Sequence, residues 1–478
     1  VEKMKVNLSA TGFWKINNTG ENYTGDLYLN EDKGGIVLYI RIPNNGPIMS
    51  YLELPLEIPF ITGSTINGAE ITLVKCSRIS TNSRIGTEEV FGYKAQFMFN
   101  GLNFNKEEDI RFSKMTISIP GIIQWGDVSN YVRPALDKKG DSLIDLKIVE
   151  PIEIFSNEIY GISYYLSFSD PFHLMKEQLT LKQTPHLIIE AQSLQTIEWF
   201  MKIADQMKRL IEIAVGVPLS YDSMIVESPD IYYEFEDDEK HIRPLEVIHA
   251  HKHTLKGENN NERLIKHDYI FSLSELKQAN FSQWQEVSTI MEPIIELYID
   301  SLYNQNLSVS RHFLNMVQAL ETYHSRRIAY SLHEFKERVE KLLELRPEAF
   351  RKQDRKFLLE GCRNFVVLRS RLADLLLADY RFIFHTGEFK FIELPQLIAQ
   401  TRNYYTHYNQ KLEEKALKGE DLITAFHILR NILEFYLLKE LGFKEDFIHE
   451  RTRERIKPIM TSNDIRKADK RKHEMECK

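Results

Sequence analysis

The sequence predicts an α+β multidomain chain: a β-rich N-terminal half, read as a β-sandwich or barrel with one added helix, followed by an all-α helical bundle. Three observations carry this. Apolar residues alternate with a period of two as far as about Phe168 and recur at helical spacing beyond Ser272. Asn-Gly pairs at Asn45-Gly46, Asn67-Gly68 and Asn100-Gly101 punctuate the first region in the manner of hairpin turns. Between the two regions, Ser228 to Glu262 is polar, glycine-bearing and dense in charge, the composition of a linker.

The strands come first. Gly35 to Ile40, Ile71 with Leu73, Tyr93-Ala95-Phe97-Phe99 and Met115-Ile117-Ile119 each place apolar side chains on one face of an extended segment. Ile197, Phe200, Ala204, Met207, Ile211 and Ala214 then fall at helical spacing, with Gly216 and Pro218 placed to stop the helix, so one amphipathic helix is expected on the β layer. Trp284 to Leu302, Phe313 to Leu320, Leu342 to Leu372 and Leu422 to Leu437 give successive apolar stripes that must bury one another in a bundle. The expected organisation is a β-rich domain over 1–270, with a sub-boundary near 150–170, a bundle over 271–447 and a charged tail over 448–478.

Composition excludes several classes. A chain of 478 residues with 43% hydrophobic and 27% charged residues is of ordinary globular type. Its net charge of −8 argues against coating nucleic acid through bulk positive charge, so an RNA contact needs a local patch. Cys76, Cys362 and Cys477 are too sparse for a disulfide framework or a zinc ribbon, which points to a reducing cytoplasm. Val1 to Trp14 carry no apolar stretch of signal-peptide type, and no apolar run reaches the roughly 18 residues of a membrane span.

The chemistry-bearing candidate is Arg402-Asn403-Tyr404-Tyr405-Thr406-His407. An imidazole titrating near neutrality can move the proton of a ribose 2′-hydroxyl, and a guanidinium can hold the phosphate oxygens as charge builds on them. Pro395 suits a first helical turn, after which Leu397, Thr401, Tyr404 and Tyr408 are expected to face the core and Asn403 and His407 to share a neighbouring face. Arg402 lies about 140° around a regular helix from His407. Two copies of the helix related by a two-fold axis bring both groups to one point. Spacing alone is weak: Arg243 with His249, Arg326 or Arg327 with His333, and Arg466 with His473 show similar separations. The bland reading is a surface arginine and a histidine hydrogen-bonded within the bundle. Tyr405 and Tyr408 are candidates for stacking a base.

Phe281 to Leu441 resembles a HEPN domain (higher eukaryotes and prokaryotes nucleotide-binding), with Arg402-Asn403 and His407 matching its Arg-polar-x3-His ribonuclease signature. Phe313 to His324 is similar to the first helix of the ApeA-like branch, and Gly12-Phe13-Trp14-Lys15 followed by Gly25-Asp26-Leu27 resembles the opening of the ApeA N-terminal domain. The resemblance implies a metal-independent, cofactor-free endoribonuclease acting on RNA. It implies a homodimer through the HEPN domain, or a larger assembly, in bacterial abortive-infection defence against an unidentified phage-derived trigger. Arg402, Asn403 and His407 would be its catalytic residues, and the N-terminal half its sensor.

Other candidates accompany these. Glu321 and His324, three apart on one helix face, could border the cleft or simply pack. His249, His251 and His253 alternate, so a strand would put three imidazoles on one side as a metal site wants, although no carboxylates accompany them. Trp14 is expected in the β core. Two further classes stay open: a catalytically silent HEPN scaffold binding RNA or a partner, and a carbohydrate-binding or hydrolytic module in the β region.

Overall fold

The structure, a computed structural model, describes residues 8–16, 21–30, 35–43, 54–84, 88–132, 144–169, 177, 180–234, 240–250, 269–304, 306–328, 332–345, 347–349, 351–361, 367–376 and 393–458. Contacts divide the chain into two compact units, residues 1–208 with 219–264, and 209–218 with 265–478.

The first unit is built on a closed barrel. Strands β1 (Leu8–Ile16), β2 (Tyr23–Asn30), β3 (Gly35–Pro43), β4 (Glu57–Thr65), β5 (Glu70–Arg84) and β6 (Glu88–Asn100) pair antiparallel in the order β6-β3-β2-β1-β4-β5, and β5 pairs again with β6. Closure removes the sheet edges, and alternate residues fill the interior. Trp14, Leu27, Leu38, Ile40, Ile61, Leu73, Tyr93 and Met98 form that core. The Trp14 indole N–H donates to the Gly25 carbonyl at 3.2 Å, which satisfies its one polar atom inside the barrel. Gly63 accommodates the same ring: a Cβ there would lie 2.3 Å from it.

Strand β6 carries the sheet out of the barrel. Its residues 88–95 pair with β3 and 97–100 with a later strand, so one edge is shared. The remaining strands are β7 (Phe112–Ser118), β8 (Tyr131–Val132), β9 (Asp145–Leu146), β10 (Ile152–Ser156), β11 (Tyr160–Ser169), β12 (Lys182–Gln195), β13 (Ser223–Glu227), β14 (Tyr232–Glu234), β15 (Lys240–Ile242) and β16 (Leu245–His249). From β6 the order continues β16-β13-β7-β12-β11-β10, while β8 pairs with β9 and β14 with β15. Met115, Ile117, Leu187, Ile189, Met224, Val226, Leu245 and Val247 are buried. The helix Ile197–Val215 buries all six residues of its expected stripe. It joins the strands through Trp199, edge-on to Tyr160 with centroids 5.4 Å apart, and through a 2.9 Å ion pair from Lys75 to Glu198.

Two turn expectations are resolved differently. Asn67-Gly68 does join β4 to β5, with Gly68 at φ +82°. Asn100-Gly101 does not make a hairpin: Gly101, at φ +103°, releases β6 toward β7, which pairs with β12 and β13. An Asn-Gly pair specifies a left-handed backbone, not the partner of the next strand. Asn45-Gly46 lies outside the described residues. The linker reading of Ser228 to Glu262 is also corrected over its first part, because β14, β15 and β16 fall there. Their short apolar alternation is hidden between acidic residues.

The second unit is helical. Helices Gln278–Ile290, Glu292–Tyr303, Val309–Arg327, Leu332–Glu344, Lys352–Gly361, Leu368–Leu375, Leu394–His407 and Gly419–Glu440 are followed by one over 445–458. Asn280 is buried and starts the first of these: its side-chain oxygen accepts the Lys277 amide at 2.9 Å, and its Nδ2 donates to the Leu441 carbonyl at 2.7 Å. Gly419–Glu440 is the central helix, since residues 431–438 are all buried, polar and apolar alike. The sequence stripe underestimates it because a helix enclosed on every side has no polar face. Leu342 and Leu343 are both expected inside; Leu343 is buried, whereas Leu342 is 64% exposed. The last helix runs past residue 448, with Ile448, Thr452 and Ile456 buried at intervals of one turn.

A charged cluster sits in this core. Glu434 Oε1 accepts from Tyr298 Oη at 2.8 Å, Arg430 Nε at 2.9 Å and Arg455 Nη2 at 3.0 Å, and Oε2 accepts from Arg455 Nε at 3.0 Å. Arg430 Nη2 also donates to the Gly216 carbonyl at 3.3 Å. Burial alone would push the Glu434 carboxyl up, but the guanidinium groups of Arg455 and Arg430 outweigh it and hold the pKa below the usual range. Glu434→Leu should remove the buried carboxylate that the Arg430 and Arg455 guanidinium groups share and cost about 3–5 kcal/mol of stability in urea unfolding near neutral pH. The carboxyl is depressed in the folded state, so its contribution is complete above the unfolded value of about 4.3 and is lost as pH falls through the lower folded value. The stability gap between wild type and variant should therefore narrow below about pH 4.

Candidate functional site

The helix Leu394–His407 starts with Pro395 in its first turn and buries Leu394, Ile398 and Thr401. This face is offset from the expected one: Leu397 and Tyr404 are half-buried, and Tyr408 is 69% exposed. The reason is the helix end. Tyr408 takes a left-handed conformation, φ 49° and ψ 39°, while its amide donates to the Tyr404 carbonyl, so it leaves the helical periodicity altogether.

Thr401 fixes the helix to the chain that follows. Its hydroxyl donates to the Leu397 carbonyl at 2.8 Å and accepts the Leu417 amide at 3.0 Å, and the Tyr405 hydroxyl donates to the Leu417 carbonyl at 3.1 Å. Both backbone groups of Leu417 are thus taken by motif-helix side chains. Burial pushes the Tyr405 hydroxyl above its ordinary pKa, which keeps it a donor in this role. Tyr405, a candidate for the cleft, serves as a structural pin here.

Arg402, Asn403 and His407 stand on the outside of this helix. Asn403 and His407 are exposed and four apart, on one face. Arg402, one-third exposed, leans onto that face: its Nη1 donates to Asn403 Oδ1 at 3.1 Å, and its Nη2 lies 3.7 Å from Glu321 Oε2 on the helix Val309–Arg327. Arg371 Nη1 donates to the Glu321 carbonyl at 3.3 Å. The structure therefore brings Glu321 together with Arg402 and Asn403. It separates His324, which is 2% exposed and bonded through Nε2 to Asp374 Oδ2 at 2.8 Å. No spacing rule links His324 to Asp374, fifty residues later in sequence. Thr401 is expected in the core from its spacing, but its bond to Leu417 and the role of Asp374 are not legible in sequence because each is a contact between separate segments.

The metal candidate has less support. His249 stacks on Phe97 with ring centroids 4.7 Å apart, and His251 and His253 lie outside the described residues. Among the described residues, no group of three or more His, Cys, Asp or Glu is placed to hold a metal ion. No helix of the described residues is long and apolar enough to cross a membrane.

A barrel-based β unit joined to a helical bundle, with an exposed Arg-Asn-x3-His helix end in the bundle, defines a two-part protein with a HEPN-type domain. The chain belongs to the ApeA-like HEPN family: the family model for ApeA N-terminal domain 1 matches residues 9–284, and that for the Apea-like HEPN domain matches residues 314–447. HEPN domains are generally ribonucleases, commonly dimerise and bind RNA. No curated protein and no solved structure matches the chain.

The two histidines separate structure from surface. His324→Ala should destabilise the bundle by about 1–3 kcal/mol by removing a buried ring and its bond to Asp374, whereas His407→Ala should stay within about 0.5 kcal/mol of wild type. Urea unfolding of both variants measures the difference.

Proposed function

We propose that the protein is a metal-independent endoribonuclease of an anti-phage, abortive-infection system, working as a homodimer whose paired motif helices form the cutting site. The observation that supports this best is exposure: Asn403 and His407 lie on one open helix face, with Arg402 drawn toward them.

The chemistry follows from the groups. His407 of one chain accepts the ribose 2′-hydroxyl proton, and the oxygen attacks the adjacent phosphorus. The bond to the 5′-oxygen breaks as His407 of the partner subunit donates a proton to it, leaving a 2′,3′-cyclic phosphate and a 5′-hydroxyl. Arg402 holds the non-bridging oxygens, for which a planar guanidinium suits better than an ammonium. Asn403 orients Arg402, as its 3.1 Å hydrogen bond indicates. DNA lacks the attacking hydroxyl and is not a substrate. The N-terminal unit, which supplies no residue to this scheme, is assigned to sensing a phage-derived trigger.

Wild type incubated with total RNA in EDTA should produce cyclic-phosphate ends, and His407→Ala and Arg402→Ala should each lower the rate by about 10²–10⁴. The wild-type rate should be bell-shaped in pH because two coupled imidazoles must hold opposite protonation states. Equal RNA binding without cleavage in all three proteins would favour the catalytically silent scaffold. His407-dependent cleavage confined to infected cells would support the sensing assignment, and equal cleavage in uninfected cells would remove it.

A further inference from the structure

The residue after the candidate histidine is an anomaly. A helix that ends through a left-handed residue ordinarily uses glycine, or else asparagine, because a Cβ crowds the following carbonyl in that conformation. Here the position is Tyr408, at φ 49°. Its ring gains little from the subunit, being 69% exposed. Backbone strain held without compensating burial is a reason to look for a task outside the fold.

The surroundings suit one. Tyr404 packs against Tyr408 with ring centroids 5.8 Å apart and planes at 65°, and Lys418 Nζ lies 5.5 Å from the Tyr404 centroid. Tyr405 also braces Tyr404, at 5.0 Å and 69°. Tyr408 is therefore an exposed aromatic ring next in sequence to His407, packed on Tyr404, which Tyr405 and Lys418 brace in turn. Its left-handed backbone turns it off the helix.

We infer that Tyr408 is a nucleobase platform of the site proposed above, stacking an unpaired base beside the scissile phosphate and so restricting the substrate to single strands and loops. The inference rests on the ribonuclease reading of Arg402 and His407. Its physical content is that a base inside an A-form duplex is stacked on its neighbours and offers no free face, whereas a loop nucleotide can be splayed onto an aromatic ring.

Substitution with glycine separates this role from a structural one, because the two predict opposite signs. Tyr408→Gly relieves the left-handed strain, so thermal stability should be unchanged or higher by about 2 °C. Affinity for a mixed-sequence single-stranded RNA with 2′-O-methyl riboses, which binds without being cut, should fall about 5- to 100-fold, and Tyr408→Phe should bind like wild type. Wild type should cut a hairpin RNA in its loop and leave a blunt duplex intact, with the preference weakened in Tyr408→Gly. Unchanged affinity in Tyr408→Gly, when wild type does cleave RNA, overturns the inference alone. An affinity loss that tracks a lower Tm, or a change of oligomeric mass in light scattering, assigns Tyr408 to the fold or to a subunit contact and also overturns it. Absence of any RNA cleavage by wild type removes the underlying ribonuclease reading itself.

Discussion

The helical unit is organised around a carboxylate that cannot be solvated. Glu434 lies on the most enclosed segment of the bundle, and removing a charge of that kind from water costs several kcal/mol unless every lone pair is met. Tyr298, Arg430 and Arg455 meet them, which ties the central helix to Glu292–Tyr303 and to the helix over 445–458 at one point. Such a cluster tolerates little sliding, so it fixes the register of the central helix. The remaining polar contacts then fall into place along it: Tyr436 donates to the Leu375 carbonyl at 2.6 Å, and Glu440 accepts from Tyr323 at 2.9 Å and Arg327 at 2.8 Å. Those bonds locate Val309–Arg327, the helix that presents Glu321 to Arg402. The arrangement at the surface is thus set by charge pairing in the interior.

His324 and His407 show the same residue type used in two ways. One is enclosed and bonded to the Asp374 carboxylate; the other stands exposed on an outer face. Any reaction that moves protons to and from an external strand requires the second environment, because a donor bonded inside the fold has no path to substrate. The buried pair holds Leu368–Leu375 against the bundle and contributes to the site only by supporting the ground on which it stands.

Much of the architecture is written in residue periodicity. Period-two alternation marks β3, β5, β6 and β7, and the buried stripe of Ile197–Val215 is legible residue by residue, since a single apolar face leaves a strong helical signal. Barrel closure is not legible, because the pairing of β5 with β6 and the sharing of β6 between β3 and β16 are long-range choices. Local pattern also missed β14 to β16, whose few apolar residues stand among charges. In the candidate site, the Arg402-Asn403-x3-His407 spacing is visible in sequence, while the approach of Glu321 to Arg402, the departure of Tyr408 from the helix and the pinning of Leu417 are products of backbone conformation and tertiary contacts.

The Arg402–Glu321 pair bears on how the proposed chemistry is held ready. With N to O at 3.7 Å and both side chains about one-third exposed, the pair belongs to the class of partly solvated ion pairs worth about 0.2–1 kcal/mol. A phosphate offers the guanidinium charge-assisted hydrogen bonds of roughly twice the strength of neutral ones. In the proposed chemistry the carboxylate would therefore lose the competition to a bound strand. Glu321 is too weak a partner to block Arg402, yet sufficient, with Asn403, to keep a long side chain with about 2 kcal/mol of rotamer entropy from wandering before substrate arrives. A buried pair would have stored Arg402 out of reach, and a lone arginine would have to be ordered in the reaction itself. A partly exposed pair near the end of a rigid helix avoids both costs, and it does so only because the interior has already fixed where Val309–Arg327 and Leu394–His407 lie.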